Sequence, residues 1–153
     1  MSFTSFEEII QFATDKEKEA VDFYSDLAKN AIFSGARETL EGFAREERKH
    51  YDLLGNLGKE KQDLSQYNFE WIPDLKRSDY LVDTDDPKDM GYTDLLRLAM
   101  KREEKALKLY NELLAKAENE ELKNVFKMLC QEEAKHKLAL ETLYDDYMAE
   151  QGD

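Results

Sequence analysis

The amino-acid sequence predicts an all-α protein, a four-helix bundle made of two duplicated helical hairpins joined by a long crossover. Three observations predict this fold. The 153 residues include only six glycines and two prolines, a composition that favours helix over sheet. Apolar residues recur at alternating steps of three and four in four segments, as on one face of an α-helix. The first two segments also match the last two at one constant offset of 86 residues, which indicates an internal duplication.

The four helices follow in chain order. Helix 1 is predicted over about 6–31, and the sequence FSGA at 33–36 predicts a turn after it. Helix 2 is predicted over about 36–57, helix 3 over about 92–117 and helix 4 over about 120–149. The short connections make helices 1 and 2 one antiparallel hairpin and helices 3 and 4 another.

Residues 58–91 form the predicted crossover between the hairpins. If helix 3 runs parallel to helix 2, the chain must return along the whole bundle, about 35 Å for a helix of roughly 24 residues. Ile72, Leu75 and four aromatic residues predict that the crossover packs on the bundle or on a partner, and a flexible tether is the alternative. The aromatic residues are Tyr67, Phe69, Trp71 and Tyr80. We expect residues 1–153 to form a single domain.

Composition and charge exclude several classes of protein. The formal net charge of −13 opposes unspecific binding to nucleic acid or to an anionic membrane. The N-terminal sequence has no secretion signal, and no segment has the roughly 20 apolar residues of a membrane helix. Cys130, the one cysteine, excludes an intrachain disulfide and is predicted to be a buried, inert thiol. We therefore expect a cytoplasmic protein without nucleic-acid or membrane partners.

Each predicted helix places a glutamate on its apolar seam, where a bundle ordinarily places an apolar residue. The two histidines of the chain follow two of these glutamates in the same pattern, E-x-x-H. The duplication pairs the six polar seam residues as Glu17 with Glu103, Glu47 with Glu133, and His50 with His136. Residues three apart share a helix face, with roughly 5–6 Å between Cβ atoms. The six side chains also lie at matching heights about the predicted turns, so we expect them to meet at mid-bundle.

Four carboxylates that converge in a dry interior repel one another strongly. At an effective dielectric constant near 20, two unit charges 4 Å apart cost about 4 kcal/mol. Two divalent cations would balance the four negative charges, and the two imidazoles would supply further ligands. Glutamate oxygen and histidine nitrogen suit iron, manganese or zinc. The pattern therefore predicts a dinuclear metal centre, and a metal-free structural bundle is the alternative.

Two seam tyrosines, Tyr24 and Tyr110, lie two helical turns beyond the glutamates of helices 1 and 3. A buried tyrosine normally gives its hydroxyl group a hydrogen-bond partner. A role in the core alone is favoured for each tyrosine. The alternative is a hydrogen bond from the hydroxyl to a ligand carboxylate, which would orient that ligand.

The motif E-x-x-A-x-x-x-Y in helices 1 and 3, with E-x-x-H in helices 2 and 4, resembles the ferritin-like di-iron carboxylate proteins. Within them the chain is most similar to the rubrerythrin group, for which EKEAVDFYSDLA followed by AREERKHYDLL is typical. The resemblance covers all four helices and implies two iron ions, with manganese or zinc possible at the same site. The implied ligands are terminal carboxylates from Glu17 and Glu103, bridging carboxylates from Glu47 and Glu133, and one imidazole per metal from His50 and His136.

The resemblance implies a di-iron oxidoreductase that reduces hydrogen peroxide or dioxygen, with ferroxidase activity in the cycle. A non-catalytic iron-binding or sensor protein is the alternative. Two departures from the family pattern bear on this. One cysteine cannot build a rubredoxin domain, so electrons are expected from a separate donor protein such as a rubredoxin. Many members carry a further glutamate one turn after the helix 3 ligand, where this chain has Ala106, so peroxide and dioxygen both remain open as oxidants. We also expect a homodimer.

Overall fold

The computed structural model describes residues 6–30, 34–57, 69–75 and 92–150. These residues form four α-helices, α1 (Phe6–Lys29), α2 (Ser34–Gly55), α3 (Tyr92–Lys116) and α4 (Glu120–Glu150). The helix bounds agree with the predicted ones to within two residues, and the described part of the chain contains no strand. The all-α prediction is therefore confirmed. None of the described helices is long and apolar enough to cross a lipid bilayer.

The chain divides into two compact units, Met1–Asp63 and Leu64–Asp153. The first unit contains the hairpin of α1 and α2, called hairpin 1 below, and the second contains the hairpin of α3 and α4, called hairpin 2. The division agrees with the duplication read from the sequence. That the whole chain forms one domain stays a prediction.

Hairpin 1 buries the apolar faces of its two helices. The ring of Tyr24, late in α1, meets the ring of Phe43, in the middle of α2, edge to face with 5.4 Å between centroids. The earlier Glu17 of α1 lies beside the later His50 of α2, so the helices run antiparallel. The fully or nearly fully buried apolar side chains of this hairpin include Ala13, Leu27, Leu40 and Leu54. Each large buried side chain of this kind contributes about 1.5–3 kcal/mol to folding.

Hairpin 2 has a capped helix start at its turn and an aromatic contact between its helices at the opposite end. Asn119 accepts a hydrogen bond from the backbone N–H of Leu122 through its side-chain oxygen at 2.9 Å, an N-cap that explains why α4 begins at Glu120. At the other end, the rings of Tyr92 and Tyr147 lie 5.1 Å apart, so α3 and α4 are antiparallel. The apolar core between the two helices is formed by Leu96, Ala99, Met100, Leu113, Phe126, Leu129 and Leu140.

Residues 69–75, called the strap below, are the described part of the predicted crossover. The strap lies against α4, to which it is joined by hydrogen bonds and an ion pair. Phe69 contributes to this packing because the Lys127 ammonium lies 4.8 Å from the centre of its ring. Trp71, in contrast, is 83% exposed. The other two aromatic residues predicted to pack, Tyr67 and Tyr80, lie outside the described residues.

Candidate functional site

Hairpin 1 buries three of the predicted ligands in one cluster. Glu17 lies in the middle of α1, while Glu47 and His50 lie one turn apart on α2, and each is at most 5% exposed. The Nδ1 atom of His50 is 3.7 Å from Oε1 of Glu17 and 3.6 Å from Oε1 of Glu47. The three residues offer ligand atoms that all lie within 4.8 Å of one another. The helical spacing and the antiparallel pairing thus bring the E-x-x-H motif of α2 to the glutamate of α1.

The electrostatics of this cluster favour bound protons when no cation is present. The pKa of Glu17 is raised from 4.5 to about 8, first by burial and then by the hydrogen bond and negative charge of Glu47, although His50 opposes the rise. Burial lowers the pKa of His50, but hydrogen bonds and charges from Glu17 and Glu47 outweigh this and raise that pKa from 6.5 to about 10. Positive charge is therefore stabilised at this position, and a divalent cation would supply it while displacing the protons.

Hairpin 2 repeats the arrangement with its own three predicted ligands. Glu103 on α3 and Glu133 and His136 on α4 are each at most 2% exposed. The Nδ1 atom of His136 is 3.8 Å from Oε1 of Glu103. The ligand atoms of the three residues again lie within 4.8 Å of one another. The two hairpins therefore repeat the arrangement of these side chains as well as their sequence.

Both clusters fit a metal ion by donor chemistry and by distance. Each offers two carboxylates and one imidazole, a donor set suited to iron, manganese or zinc. Metal–ligand bonds of about 2.0–2.2 Å place two ligand atoms on one ion up to roughly 4.4 Å apart. The imidazole-to-carboxylate separations of 3.6–3.8 Å lie in this range.

The remaining residues singled out in the sequence are placed as follows. Tyr24 and Tyr110 are each 1% exposed, which places both in the cores of their hairpins. Cys130 is half-buried, so the prediction of a buried thiol is wrong. Its Sγ atom lies 3.6 Å from the side-chain oxygen of Asn111, and burial raises the pKa of the thiol to about 11. The thiol is therefore protonated, and so a weak nucleophile, at neutral pH.

Sequence reasoning missed three buried polar residues of α4. Gln131, Lys137 and Glu141 are at most 8% exposed although their side chains are polar or charged. Gln131 precedes the ligands Glu133 and His136 along the helix, and Lys137 and Glu141 follow them. The signal in the sequence was a departure from the duplication, because the equivalent residues of α2 are of different types.

Solved structures of three other proteins share the fold. A hypothetical protein from Pyrococcus furiosus is 28% identical, with a TM-score of 0.68 over 92% of this chain and 89% of that one. The manganese catalase KatB from Anabaena PCC7120 is 17% identical, with a TM-score of 0.66 over 96% of this chain and 75% of that one. CopM, solved in a Cu(I)-bound form, is 10% identical, with a TM-score of 0.65 over 95% of this chain and 99% of that one. The likenesses to KatB and CopM show the fold alone. No curated protein matches the chain.

The four helices and these likenesses place the chain in the ferritin-like class of all-α proteins, which confirms the predicted fold class. Its two buried clusters of carboxylate and imidazole groups are of the kind that binds metal in such proteins. The chain belongs to the rubrerythrin family, because the family model described as Rubrerythrin matches residues 3–58 and 90–152. The resemblance read from the motifs is thereby confirmed.

Proposed function

We propose that the protein binds two iron ions in a dinuclear centre and reduces hydrogen peroxide or dioxygen there. One observation carries this proposal. Each hairpin buries two glutamates and one histidine whose ligand atoms lie within 4.8 Å of one another. Membership of the rubrerythrin family and the exact repetition of the ligand types at one offset support a paired centre over two unrelated sites. The proposed ligands are Glu17, Glu47, His50, Glu103, Glu133 and His136.

The protein's own side chains would set the conditions for this chemistry. Four carboxylates balance the charge of two divalent ions, and the imidazoles complete a donor set that suits iron. Burial of the six side chains keeps bulk water away and strengthens every electrostatic interaction in the cluster. When bound, a ferrous pair would supply two electrons, which together with two protons reduce hydrogen peroxide to two waters or dioxygen to hydrogen peroxide. We propose a separate donor protein such as a rubredoxin as the source of electrons, and a homodimer as the working assembly.

Stopped-flow absorbance of the anaerobically iron-loaded protein tests the activity. We expect two iron ions per chain and rapid oxidation on mixing with peroxide, with dioxygen or with both. The double variant Glu47→Gln/Glu133→Gln removes one negative ligand from each cluster and should abolish iron binding and oxidation. Its matched control is Glu46→Gln/Glu132→Gln, which removes the adjacent carboxylates and should leave both intact. If the loaded protein is indifferent to both oxidants, the enzyme proposal is wrong.

Electron paramagnetic resonance of the oxidised protein tests whether the two ions form one centre. Two neighbouring ferric ions couple their spins, whereas two separate ferric ions each give the signal of an isolated high-spin ion. We expect the coupled state. A full isolated-ion signal at two iron ions per chain would mean that each hairpin binds its metal alone.

A non-catalytic iron-binding or sensor protein is the second candidate function. The observation in its favour is Trp71, which is 83% exposed on the strap and so is available to a partner. This function predicts slow oxidation of bound iron, together with a change in oligomeric state or partner binding on iron loading. Size-exclusion chromatography with light scattering, with and without iron, distinguishes it from the enzyme.

A further inference from the structure

The outer face of α4 is built differently from the equivalent face of α2. Buried polar side chains occupy three positions on α4, namely Gln131, Lys137 and Glu141. The duplication places Arg45, Tyr51 and Gly55 at the same positions of α2, where the first and last are exposed and the second is half-buried. Burying polar groups costs free energy unless they gain partners, so these three side chains of α4 require partners.

The first partners of this face are backbone groups of the strap. The backbone N–H of Glu70 donates to Oε1 of Gln131 at 2.8 Å, and that of Leu75 donates to Oε1 of Glu141 at 3.3 Å. Side-chain oxygens of α4 thus bind the strap near both ends. The strap therefore runs alongside α4 in the same direction as the helix.

The third buried residue of this face, Lys137, forms an ion pair with the strap. The ammonium of Lys137 donates to the carboxylate of Asp74 on the strap and lies 3.5 Å from Oε2 of Glu141. The side chain of Lys137 is only 4% exposed, whereas that of Asp74 is 56% exposed. The strap therefore covers a positive charge that follows the proposed ligand His136 directly in the sequence.

The strap-binding face adjoins the ligand-bearing face of the same helix. At about 100° per residue, Lys137 projects roughly 40° from Glu133 and Glu141 roughly 80°, on the side opposite His136. A displacement of α4 would therefore move the ligand atoms of Glu133 and His136, and a change of charge on α4 would change the electrostatic potential at these atoms. Lys137 follows His136 directly and lies one helical turn after Glu133, so the charges around Lys137 act on a cation that these ligands bind.

We propose that docking of the strap on α4 and metal binding by Glu103, Glu133 and His136 are thermodynamically linked, each favouring the other. The proposal rests on the metal site of the proposed function. A docked strap brings the Asp74 carboxylate to Lys137 and offsets its positive charge. A released strap takes that carboxylate away and leaves Lys137 with Glu141 as its partner on α4, so the surroundings of the cation lose one negative charge and bind it less tightly. The strap therefore acts as a clip that regulates metal affinity, and Asp74 and Lys137 are positioning residues.

Titration with Mn²⁺, followed by the EPR signal of free Mn²⁺, tests the first half of the linkage. Asp74→Ala removes the strap's carboxylate without altering α4, and we expect it to weaken Mn²⁺ binding about 5- to 10-fold. The matched control is Glu70→Ala on the same strap. The Glu70 side chain is 49% exposed and 3.9 Å from Lys135, and a surface pair of this kind contributes little. We expect the control to change the affinity less than about twofold. Equal affinities for Asp74→Ala and the wild type would overturn the proposal.

Hydrogen exchange of the wild-type protein tests the second half and needs no variant. Linkage is reciprocal, so Mn²⁺ must slow exchange of the Glu70 and Leu75 amides by a factor comparable to the affinity lost in Asp74→Ala. Unchanged exchange with Mn²⁺ bound overturns the clip and leaves the metal site standing. Failure of the wild type to bind Mn²⁺ or Fe²⁺ at all overturns the proposed function and the clip together. Linkage without oxidation of bound iron would instead refute only the enzyme.

Discussion

Hairpin 1 and hairpin 2 carry the same ligand types at equivalent positions, yet their outer faces differ. The ligand-bearing face of each hairpin is called the inner face below. On it, two glutamates and a histidine are buried in each hairpin, and the distance from the histidine Nδ1 to the glutamate Oε1 of the other helix is 3.7 Å in hairpin 1 and 3.8 Å in hairpin 2. On the outer face, α4 buries Lys137 under the strap, while α2 has the half-buried Tyr51 at the equivalent position. The inner face is constrained by the chemistry that both halves share. The residues of the outer face can differ between the two halves because they are not proposed ligands. In hairpin 2 they bind the strap.

The largest test of the shared inner face is the gain in stability on metal loading. Free metal at 100 times its dissociation constant adds about 2.7 kcal/mol per site, so two sites add roughly 5 kcal/mol. For a chain of this size that raises Tm by about 10–20 °C. Glu17→Gln in hairpin 1 and Glu103→Gln in hairpin 2 should each forfeit about half of the gain, while the exposed-site control Glu19→Gln keeps it. Differential scanning calorimetry with metal and with chelator measures all four proteins. An unchanged Tm on chelation of the wild type would contradict the metal site.

The second test uses pH and concerns the protonated state of hairpin 1. The folded-state pKa values of Glu17 and His50, about 8 and about 10, lie above the ordinary 4.5 and 6.5. Without metal the folded state therefore holds more protons than the unfolded state. The resulting stability is complete below pH 4.5 for Glu17 and below 6.5 for His50, and it is lost as pH rises through about 8 and about 10 respectively.

Urea unfolding of the metal-free protein between pH 6.5 and 8 should accordingly show stability falling with pH. Each of the two groups contributes up to about 1.4 kcal/mol per pH unit. Glu17→Gln removes one of the titrating groups and should flatten the slope. Metal affinity should rise over the same range because binding releases the protons. Stability that is constant or rises with pH in the metal-free wild type would mean that the cluster is not protonated.

The sequence was sufficient to predict the inner face. Helix spacing alone predicted the bounds of α1 to α4 closely, because seams at steps of three and four extend over whole helices and end at short turns. The burial of Glu17 and Glu133 was also predictable, since each replaces an apolar residue on a seam and each recurs at the same offset. That the six residues bind metal as a set stays a prediction.

The outer face of α4 was not predictable from the same pattern. Lys137 and Glu141 are charged and lie off the seam, a combination that ordinarily indicates solvent exposure. Their buried side chains contact the strap, which no helical period describes and which lies more than 60 residues away in sequence. Trp71 shows the converse, because its aromatic character predicted packing and the structure leaves it exposed. Long-range contacts of irregular segments are decided by tertiary structure rather than by local pattern.

A third test compares the stability lost on alanine substitution at equivalent positions of the outer faces of α4 and α2. Gln131→Ala removes the acceptor of the Glu70 N–H and leaves that donor without its partner on α4, at a cost of about 1–2 kcal/mol. Arg45→Ala at the equivalent exposed position of α2 should change stability by less than about 0.5 kcal/mol. Chemical denaturation of the metal-free variants gives both values. Equal effects would mean that the strap adds nothing to the stability of hairpin 2.

The smallest test returns to the inner face and asks what the paired tyrosines contribute. Tyr24 packs edge to face with Phe23 and Phe43, with ring centroids 5.5 and 5.4 Å apart, and the duplication replaces both neighbours of Tyr110 with leucine. Tyr→Phe keeps the ring contacts at either position and removes only the hydroxyl. We expect each variant to lose about 0.5–1.5 kcal/mol, the usual worth of one hydrogen bond. Mn²⁺ affinity should stay within about twofold if the role of each tyrosine is confined to the core. A tenfold loss in either variant would contradict that assignment, because outer hydrogen bonds to ligands affect affinity by about 10- to 100-fold. A loss of Mn²⁺ affinity in only one variant would show that the two hairpins share their ligands but not the hydrogen bonds that orient those ligands.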